Sequence, residues 1–252
     1  MFKPECLRNE DMFVDSLNNS KVSELSQNLH YMIVHMFDHV KEDDLILCSH
    51  VPGFQKPDIK ITINNVTKYV SLKYGNATFV HQEQFKTLIP FLLEAGVSKD
   101  NCDFILRYCY ADGSKDGTGC EDYNFTEIKM LLSREITIFN REVNKNKELV
   151  KKIVDRCLFS GNERNEFHAD YIYFGTVNYG CLCSKKQIMS FLERKSFSYM
   201  DNPHIGPLQF KPHFRGHSDD EVRESYRHVC DIWWARLGLD IEFISTRFNG
   251  WS

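Results

Sequence analysis

Apolar and polar residues alternate on both sides of an Asn-Asn pair in the first third of the chain. Between residues 58 and 64, isoleucine occupies every second position, which is typical of a strand with one buried face. The alternation returns between residues 69 and 74. Because Asn64-Asn65 is a favourable turn pair, these residues predict a β-hairpin with one apolar and one polar face.

The length of the turn decides which polar residues face each other across this hairpin. A two-residue turn places Asp58 opposite Ser71, and a four-residue turn places it opposite Lys73, whereas a three-residue turn separates them. Either even register keeps Asp58 and Lys73 on one face. Opposite side chains lie roughly 5 Å apart and diagonal ones roughly 7–8 Å apart, so a carboxylate and an ammonium group can share one ligand.

A second acid follows the hairpin. Between residues 81 and 94 the apolar residues recur at helical spacing, after a break at Gly75-Asn76. These apolar residues are Phe85, Leu88, Ile89, Leu92 and Leu93. The pattern predicts a helix that packs back over the hairpin and carries Glu83 in its first turn.

Two carboxylates beside a lysine match the needs of metal-dependent phosphodiester cleavage. Mg²⁺ prefers oxygen ligands and usually takes one or two carboxylates together with waters and substrate phosphate. Asp58, Glu83 and the backbone carbonyl of Leu72 are the expected ligands. The ion would polarise the phosphate and activate a water molecule, while Lys73 orients that water or stabilises the developing charge.

These residues resemble the signature of the PD-(D/E)xK nuclease superfamily, which has the restriction-endonuclease-like fold. Its pattern is Pro-Asp, a gap, and then an acidic residue, any residue and lysine; here it reads Pro57-Asp58 and Ser71-Leu72-Lys73. Ser71 stands where the acid is expected. A subgroup of type II restriction enzymes is similar, with serine before the lysine and a glutamate on the following helix, to which Glu83 corresponds. The resemblance covers roughly residues 48–94.

The resemblance implies a fold, an activity and a partner. We expect a mixed β-sheet core flanked by helices, of the α/β (α+β) class, with a β-rich elaboration towards the C-terminus. We also expect Mg²⁺-dependent cleavage of double-stranded DNA, with Mn²⁺ as a possible substitute, by a site-specific homodimer. Restriction or defence against foreign DNA, or a mobile element, is the expected setting.

Two other interpretations stay open. With Ser71 in place of the acid, the chain is alternatively an inactive module of the same fold that binds DNA or a partner. A zinc-stabilised interaction protein is the third interpretation, although the spacing in Cys181-Leu182-Cys183 is shorter than structural zinc sites usually have.

The remaining pattern predicts mixed α/β organisation, with a catalytic core in residues 1–160 and an α/β elaboration in residues 161–252 packed on the same domain. A helix over residues 20–41 carries Glu24, and the resemblance makes Glu24 a secondary metal-ligand candidate, since a helix before the first core strand often contributes a glutamate. Residues 98–110 are undecided between helix and strand. The other predicted elements are a strand at 45–51, a loop at 112–119, a bent helical region at 126–158, strands at 169–176 and 179–183, a helix at 185–193 capped by Ser184, a loop at 201–206, and strands at 207–214 and 227–234.

Composition limits the setting of the protein. The 252 residues are 42% hydrophobic, which suffices for a substantial core. No apolar stretch approaches the roughly 20 residues of a membrane span, and no signal-peptide core follows Met1. Nine scattered cysteines indicate reduced thiols, so a cytoplasmic protein without a membrane partner is expected.

A net charge of −4 argues against broad nonspecific DNA affinity. Any DNA contact would therefore come from local clusters of basic residues; the alternative is that these clusters are solvated faces balanced by acids. One cluster lies on a predicted helix and contains Lys145, Lys147, Lys151 and Lys152. Another includes Arg215. The expected substrate contacts are Ser71, His81, Gln82 and Arg215. For His81 the alternative is a surface position beside a helix cap, and for Gln82 a solvated helix surface.

Overall fold

The computed structural model describes residues 5–75, 79–197, 201–212 and 227–249. The helices are α1 (Glu5–Leu17), α2 (Gln27–Met36), α3 (Phe85–Ala95), α4 (Lys99–Tyr110), α5 (Phe125–Leu131), α6 (Ser133–Val143), α7 (Lys147–Asp155), α8 (Lys185–Arg194) and α9 (Leu237–Asn249). The strands are β1 (Leu47–His50), β2 (Ile59–Ile63), β3 (Val66–Lys73), β4 (Phe79–Gln84), β5 (Tyr171–Gly175), β6 (Gly180–Ser184), β7 (His204–Ile205), β8 (Leu208–Pro212) and β9 (Val229–Trp234).

The chain forms two compact units, each built from separate segments. Unit 1 comprises Met1–Ala77, Leu158–Phe191 and Leu237–Ser252, and unit 2 comprises Thr78–Cys157 and Leu192–Arg236. Residues 1–160 therefore contribute to both units, and so do residues 161–252. The β7, β8 and β9 strands of the predicted C-terminal elaboration join β4 from the first half of the chain.

Unit 1 is a five-stranded mixed sheet with helices on both faces. The strand order is β1-β2-β3-β5-β6; only the β3–β5 pair is parallel. Ile59, Ile61 and Val70 point to a face that packs against apolar residues of α1 and α2. On the opposite face, α9 packs against β6, where the Cys183 thiol donates to the Ile241 carbonyl. The expected helix-flanked mixed sheet is confirmed.

The β2–β3 hairpin has the two-residue turn that places Asp58 opposite Ser71. Ile63 pairs with Val66, and Asn64 and Asn65 have φ angles of 50° and 67°. Positive φ at both central positions is the geometry that matches the twist of a two-residue hairpin. Asp58 continues the ladder, since its N–H donates to the Val70 carbonyl over 2.9 Å.

The predicted helix over residues 20–41 is shorter and broken. A 3₁₀ turn, Val22–Glu24, precedes α2, and Ser26 between them has an extended backbone with ψ of 153°. Serine favours this N-cap conformation over a helix interior. Glu24 therefore lies outside the long helix that was predicted to carry it.

Unit 2 contains an antiparallel sheet of order β4-β9-β8-β7 together with α3 to α7. Ser98 caps α4, which settles the undecided segment as a helix. The region predicted as one bent helix divides into α5, α6 and α7, with a π turn at Arg156–Ser160. The α9 helix of unit 1 was missed, because Leu239 and Phe243 are exposed and its apolar residues do not form a single stripe.

Glu83 lies on a strand, and its prediction in the first turn of a helix is wrong. Residues 79–84 form β4, and the helix begins at Phe85. The apolar periodicity of the sequence had assigned these residues to the first turn of the helix. In the structure, their backbone groups pair instead with β9, where Glu83 lies opposite Cys230. His81 and Glu83 consequently alternate with exposed Gln82 and point into the interior.

The Glu83 carboxylate is buried in an ion pair. Arg156 donates from Nη2 to Oε1 over 2.5 Å and from Nε to Oε2 over 3.0 Å, and His81 Nε2 lies 2.9 Å from Oε2. Burial raises the pKa of Glu83, but the hydrogen bonds and charges of His81 and Arg156 outweigh it and lower the pKa from 4.5 to about 2. Glu83 is thus ionised in the folded protein and holds Arg156 beneath the β4 strand.

The turn conformation makes a prediction about stability. Asn65→Val should lower the free energy of unfolding by about 1–2 kcal/mol, since a β-branched residue is disfavoured at positive φ. Urea denaturation would measure the change. Asn65→Gly is the matched control, because glycine accepts this conformation, and it should unfold no earlier than the native protein. Equal stability of the valine variant would contradict the turn geometry.

The Glu83 ion pair makes a prediction about acid stability. A lowered pKa in the folded state adds stability above pH 4.5, and that stability disappears as the pH falls towards about 2. Glu83→Gln should lower the free energy of unfolding at pH 7 by about 3 kcal/mol, because Arg156 loses its buried partner. Between pH 7 and pH 2 the variant should then lose less stability than the native protein does. The control is Glu94→Gln, an exposed change on α3, which should retain the native pH profile.

Candidate active site

Asp58, Ser71 and Lys73 lie together on the polar face of unit 1. Asp58 directly precedes β2, and both other residues belong to β3, the central strand of the five-stranded sheet. Asp58 is held on both sides, because its carbonyl also accepts from the Val51 N–H over 3.0 Å. The sheet therefore fixes the backbone from which the carboxylate and the ammonium group project.

Hydrogen bonds connect the three side chains. One oxygen of Asp58, Oδ2, accepts from the Leu72 N–H over 2.5 Å and from the Ser71 hydroxyl over 3.1 Å. Lys73 Nζ donates to Ser71 Oγ over 2.9 Å and to the Leu72 carbonyl over 3.2 Å. The distance from Lys73 Nζ to Asp58 Oδ2 is 4.0 Å. The carboxylate and the ammonium group are thus joined through one hydroxyl.

Ser71 links the Asp58 carboxylate to the Lys73 ammonium group, at the position where the sequence comparison above expected an acid. Its side chain is almost fully buried, at 1% exposure, and its hydroxyl donates to Asp58 while accepting from Lys73. The substrate contact through Ser71 stays a prediction. The geometry of Ser71 supports a role in orienting the lysine.

The cluster has the right chemistry for a hard cation. The Asp58 and Lys73 side chains are 24% and 21% exposed, so solvent and ligands reach both. Asp58 Oδ1 makes no hydrogen bond to any described residue, and the Leu72 carbonyl supplies a second oxygen, which is the ligand type that Mg²⁺ takes. The Lys73 ammonium group lies on that same carbonyl, so it and a cation would share one oxygen.

Glu83 belongs to unit 2, whereas Asp58 and Lys73 belong to unit 1. Its two oxygens already accept hydrogen bonds from Arg156 and His81. The joint site of Asp58, Lys73 and Glu83 stays a prediction, and the contacts of Glu83 are those of a structural ion pair.

Glu24 is not brought to the Asp58 cluster. Its carboxylate accepts from the Lys21 N–H over 2.9 Å, and the Val22 N–H donates to the Asp44 carbonyl. Asp44 in turn contacts Asn64 at the tip of the hairpin. Asp58 lies six residues along the strand from that tip, about 20 Å away in an extended chain. These contacts place Glu24 towards the turn end of the hairpin, and its metal role stays a prediction.

The other predicted contacts have separate surroundings. His81 is 8% exposed and contacts Glu83, so the alternative of a surface position beside a helix cap is wrong, whereas its substrate contact stays a prediction. Gln82 lies on the exposed face of β4, where its Nε2 donates to Asp231 over 3.1 Å. Arg215 lies outside the described residues.

Sequence analysis missed a residue that supports the site. Asp170 precedes β5 and is joined to Tyr69 of β3 by two hydrogen bonds, from the Tyr69 N–H to Oδ2 over 2.9 Å and from its own N–H to the Tyr69 carbonyl over 2.8 Å. These bonds tie β3 to its parallel neighbour two residues before Ser71. The available signal was an aspartate directly before an aromatic strand.

Across the described residues, no three His, Cys, Asp or Glu side chains gather closely enough to hold a metal ion. The described cysteines are free thiols. Among helices in the described ranges, none is both long and apolar enough to cross a membrane.

Comparison with known proteins supports the fold. No protein-family model matches the sequence, and no curated protein matches it either. The chain is similar to the crystal structure of the restriction endonuclease MspI in complex with its cognate DNA, with a TM-score of 0.50 and 11% sequence identity over 88% of this chain and 86% of that one. The protein has a restriction-endonuclease-like fold.

Proposed function

We propose that the protein is a Mg²⁺-dependent endonuclease that hydrolyses DNA phosphodiester bonds at specific sites. The observation that carries the proposal is the solvent-accessible pair of Asp58 and Lys73, joined through Ser71 on the central hairpin. The fold of a restriction endonuclease that binds its cognate DNA adds support. Restriction or defence against foreign DNA, or action in a mobile element, is the proposed setting, and a homodimer is the proposed assembly.

Asp58 Oδ1 and the Leu72 carbonyl would hold the metal ion. Bound Mg²⁺, or Mn²⁺ in its place, polarises a phosphate and lowers the pKa of a bound water. Asp58 remains oriented for this role because the Leu72 N–H and the Ser71 hydroxyl both bind its other oxygen. The carboxylate thus presents one free oxygen without needing to reorganise.

Lys73 supplies positive charge beside the same oxygen atoms. Its ammonium group has three donors, of which Ser71 Oγ and the Leu72 carbonyl take two. A third donor is available to a phosphate oxygen or to the attacking water. A fixed cation at this place stabilises negative charge as it develops in the transition state.

Glu83 is not needed for this proposal. Binding a metal ion would require its carboxylate to give up donors from Arg156 and His81, leaving a buried cation without its partner. One carboxylate with waters and substrate phosphate is a sufficient set for Mg²⁺.

One observation favours a second candidate function. Ser71 replaces the expected acid, and Asp58 is the only carboxylate that makes a hydrogen bond or ion pair within the described Asp58–Ser71–Lys73 cluster. An inactive DNA-binding module of the same fold would have this composition, and cleavage assays separate the two functions.

The proposed chemistry predicts the behaviour of alanine variants. With plasmid DNA and Mg²⁺ or Mn²⁺, Asp58→Ala and Lys73→Ala should each cut at least about 100-fold more slowly, since each removes a charge from the reacting centre. EDTA should stop cleavage by the native protein. The matched control for Lys73 is Lys68→Ala on the same strand, which should cut at the native rate.

If native protein, Asp58→Ala and Lys73→Ala behave alike, the nuclease proposal is wrong. A duplex-binding assay in EDTA then decides what remains. Retained binding without cleavage would identify the inactive module.

The connecting hydroxyl makes a separate prediction. Ser71→Ala should slow cleavage by about tenfold, since one hydrogen bond that holds Lys73 is lost, while DNA binding in EDTA stays unchanged. Thr62→Ala is the control, because it removes a hydroxyl from the exposed Thr62–Thr67 pair of the same hairpin. Equal rates for both variants would show that Ser71 does not position the lysine.

A further inference from the structure

Unit 2 contains a cleft of about 670 Å³ that the proposed catalytic site does not use. Its walls come from α5, α6, the start of α7, and the residues Ser196, Phe197, Asp201 and His204. Most of the residues that line it have charged or hydrogen-bonding side chains. We call this space the α6 cleft.

Five residues at intervals of four form a row along the α6 cleft: Lys129, Ser133, Thr137, Arg141 and Lys145. Positions four apart share one face of an α-helix and rise about 6 Å per step. Ser133, Thr137 and Arg141 therefore extend along about 12 Å of α6, and the two lysines lengthen the row at both ends. Cationic and hydroxyl side chains are the groups that contact phosphates in nucleic-acid complexes.

The cleft is positive although the whole chain carries −4. Four lining residues are cationic, the fourth being Lys147, and Asp201 is the one carboxylate among the lining residues that the structure describes. Asp201 pairs with Lys129 over 3.6 Å, and its side chain is 84% exposed. Arg141 and Lys145 are exposed and make no ion pair with any described residue. Two cations are thus available to an anionic ligand.

The neutral groups of the cleft hold its shape. Asn140 accepts from the His204 N–H over 2.9 Å, and Asn144 accepts from the Gly206 N–H over 2.6 Å, so one amide of α6 and the amide of its C-cap residue fix the β7 turn. Gly206 has φ of +59°, and a Cβ there would lie 2.5 Å from Val150. The turn therefore requires glycine, and the wall of the cleft is formed before any ligand binds.

Lys147 is also positioned in advance. A cation in the first turn of a helix is disfavoured by the helix dipole, yet Lys147 begins α7. Its Nζ donates to the carbonyls of Lys195 and Leu192 over 2.6 and 3.4 Å, which offsets that cost. Burial lowers the pKa of His204 below its ordinary value, so the fixed positive charge comes from the lysines and arginine.

We infer that the α6 cleft binds consecutive phosphates of a nucleic-acid backbone. A row of donors repeating along α6 suits a phosphodiester strand better than a single small anion, since a strand offers a charge at each nucleotide. The choice of DNA as the ligand rests on the proposed function. The inference does not require catalysis, because the row lies on unit 2 and the catalytic residues on unit 1.

The test measures binding of a fluorescent DNA duplex to the full chain in EDTA across a series of salt concentrations. Arg141→Ala combined with Lys145→Ala should weaken binding about tenfold at 0.1 M salt. The slope of log K against log salt should fall by about two units, one for each lost phosphate contact. EDTA separates this result from cleavage, so binding is measured whether or not the Asp58 site is active.

The matched control is Lys86→Ala combined with Lys99→Ala, which removes the same charge from exposed positions of unit 2 outside the cleft. Native affinity and slope in the control support the inference. An equal loss in both double variants, or no loss in the Arg141 and Lys145 variant, overturns it. Displacement of the duplex by micromolar mononucleotide or inorganic phosphate would also overturn it, since the cleft would then hold a free small anion.

Discussion

The candidate site depends on the hydrogen bonds that Asp58 Oδ2 accepts from the Leu72 N–H and the Ser71 hydroxyl of β3. A carboxylate that accepts a backbone N–H is tied to the register of the strand that supplies it, and here that donor is Leu72. Side chains in strands alternate between faces, so a slip by one residue would send Ser71 and Lys73 to the apolar side. The two-residue turn prevents such a slip. The turn, which begins six residues after Asp58, therefore determines the geometry of the cluster.

Ser71 suits its position because of its hydrogen-bonding capacity and its lack of charge. A serine hydroxyl both donates and accepts, so it links a carboxylate to an ammonium group without adding charge. A second carboxylate at a site with 1% exposure would have been placed directly beside Asp58. Like charges at that distance disfavour ionisation of both. Serine at this position thus provides a neutral hydrogen-bonded link to Lys73.

The hairpin could be predicted from the sequence because the residues that determine it are close together in the chain. Alternating isoleucines, an Asn-Asn turn and a polar face all lie within residues 58–74, and the structure follows them. Glu83 was not predictable by the same means, because β4 pairs with β9, whose residues lie about 150 positions later. The apolar periodicity predicted α3 correctly, but the predicted helix began near residue 81 and so included residues that form β4. Of the cations in the α6 cleft, the sequence analysis named only Lys145 and Lys147, as part of a basic helix. The row along α6 could not be predicted, because its spacing has meaning only once the helix is known.

The interleaving of the two units has a consequence for how the chain reaches its native state. The parallel pair of β3 and β5 joins residues about 100 positions apart, and α9 from the C-terminal end covers β6. Contacts of such high sequence separation must wait for loop closure, which slows folding. The central strand that carries Ser71 and Lys73 gains its second neighbour only when β5 arrives. During synthesis, that strand edge therefore stays unpaired until residues beyond 170 emerge, and the face that carries Asp58, Ser71 and Lys73 is among the late parts of the protein to acquire its final support.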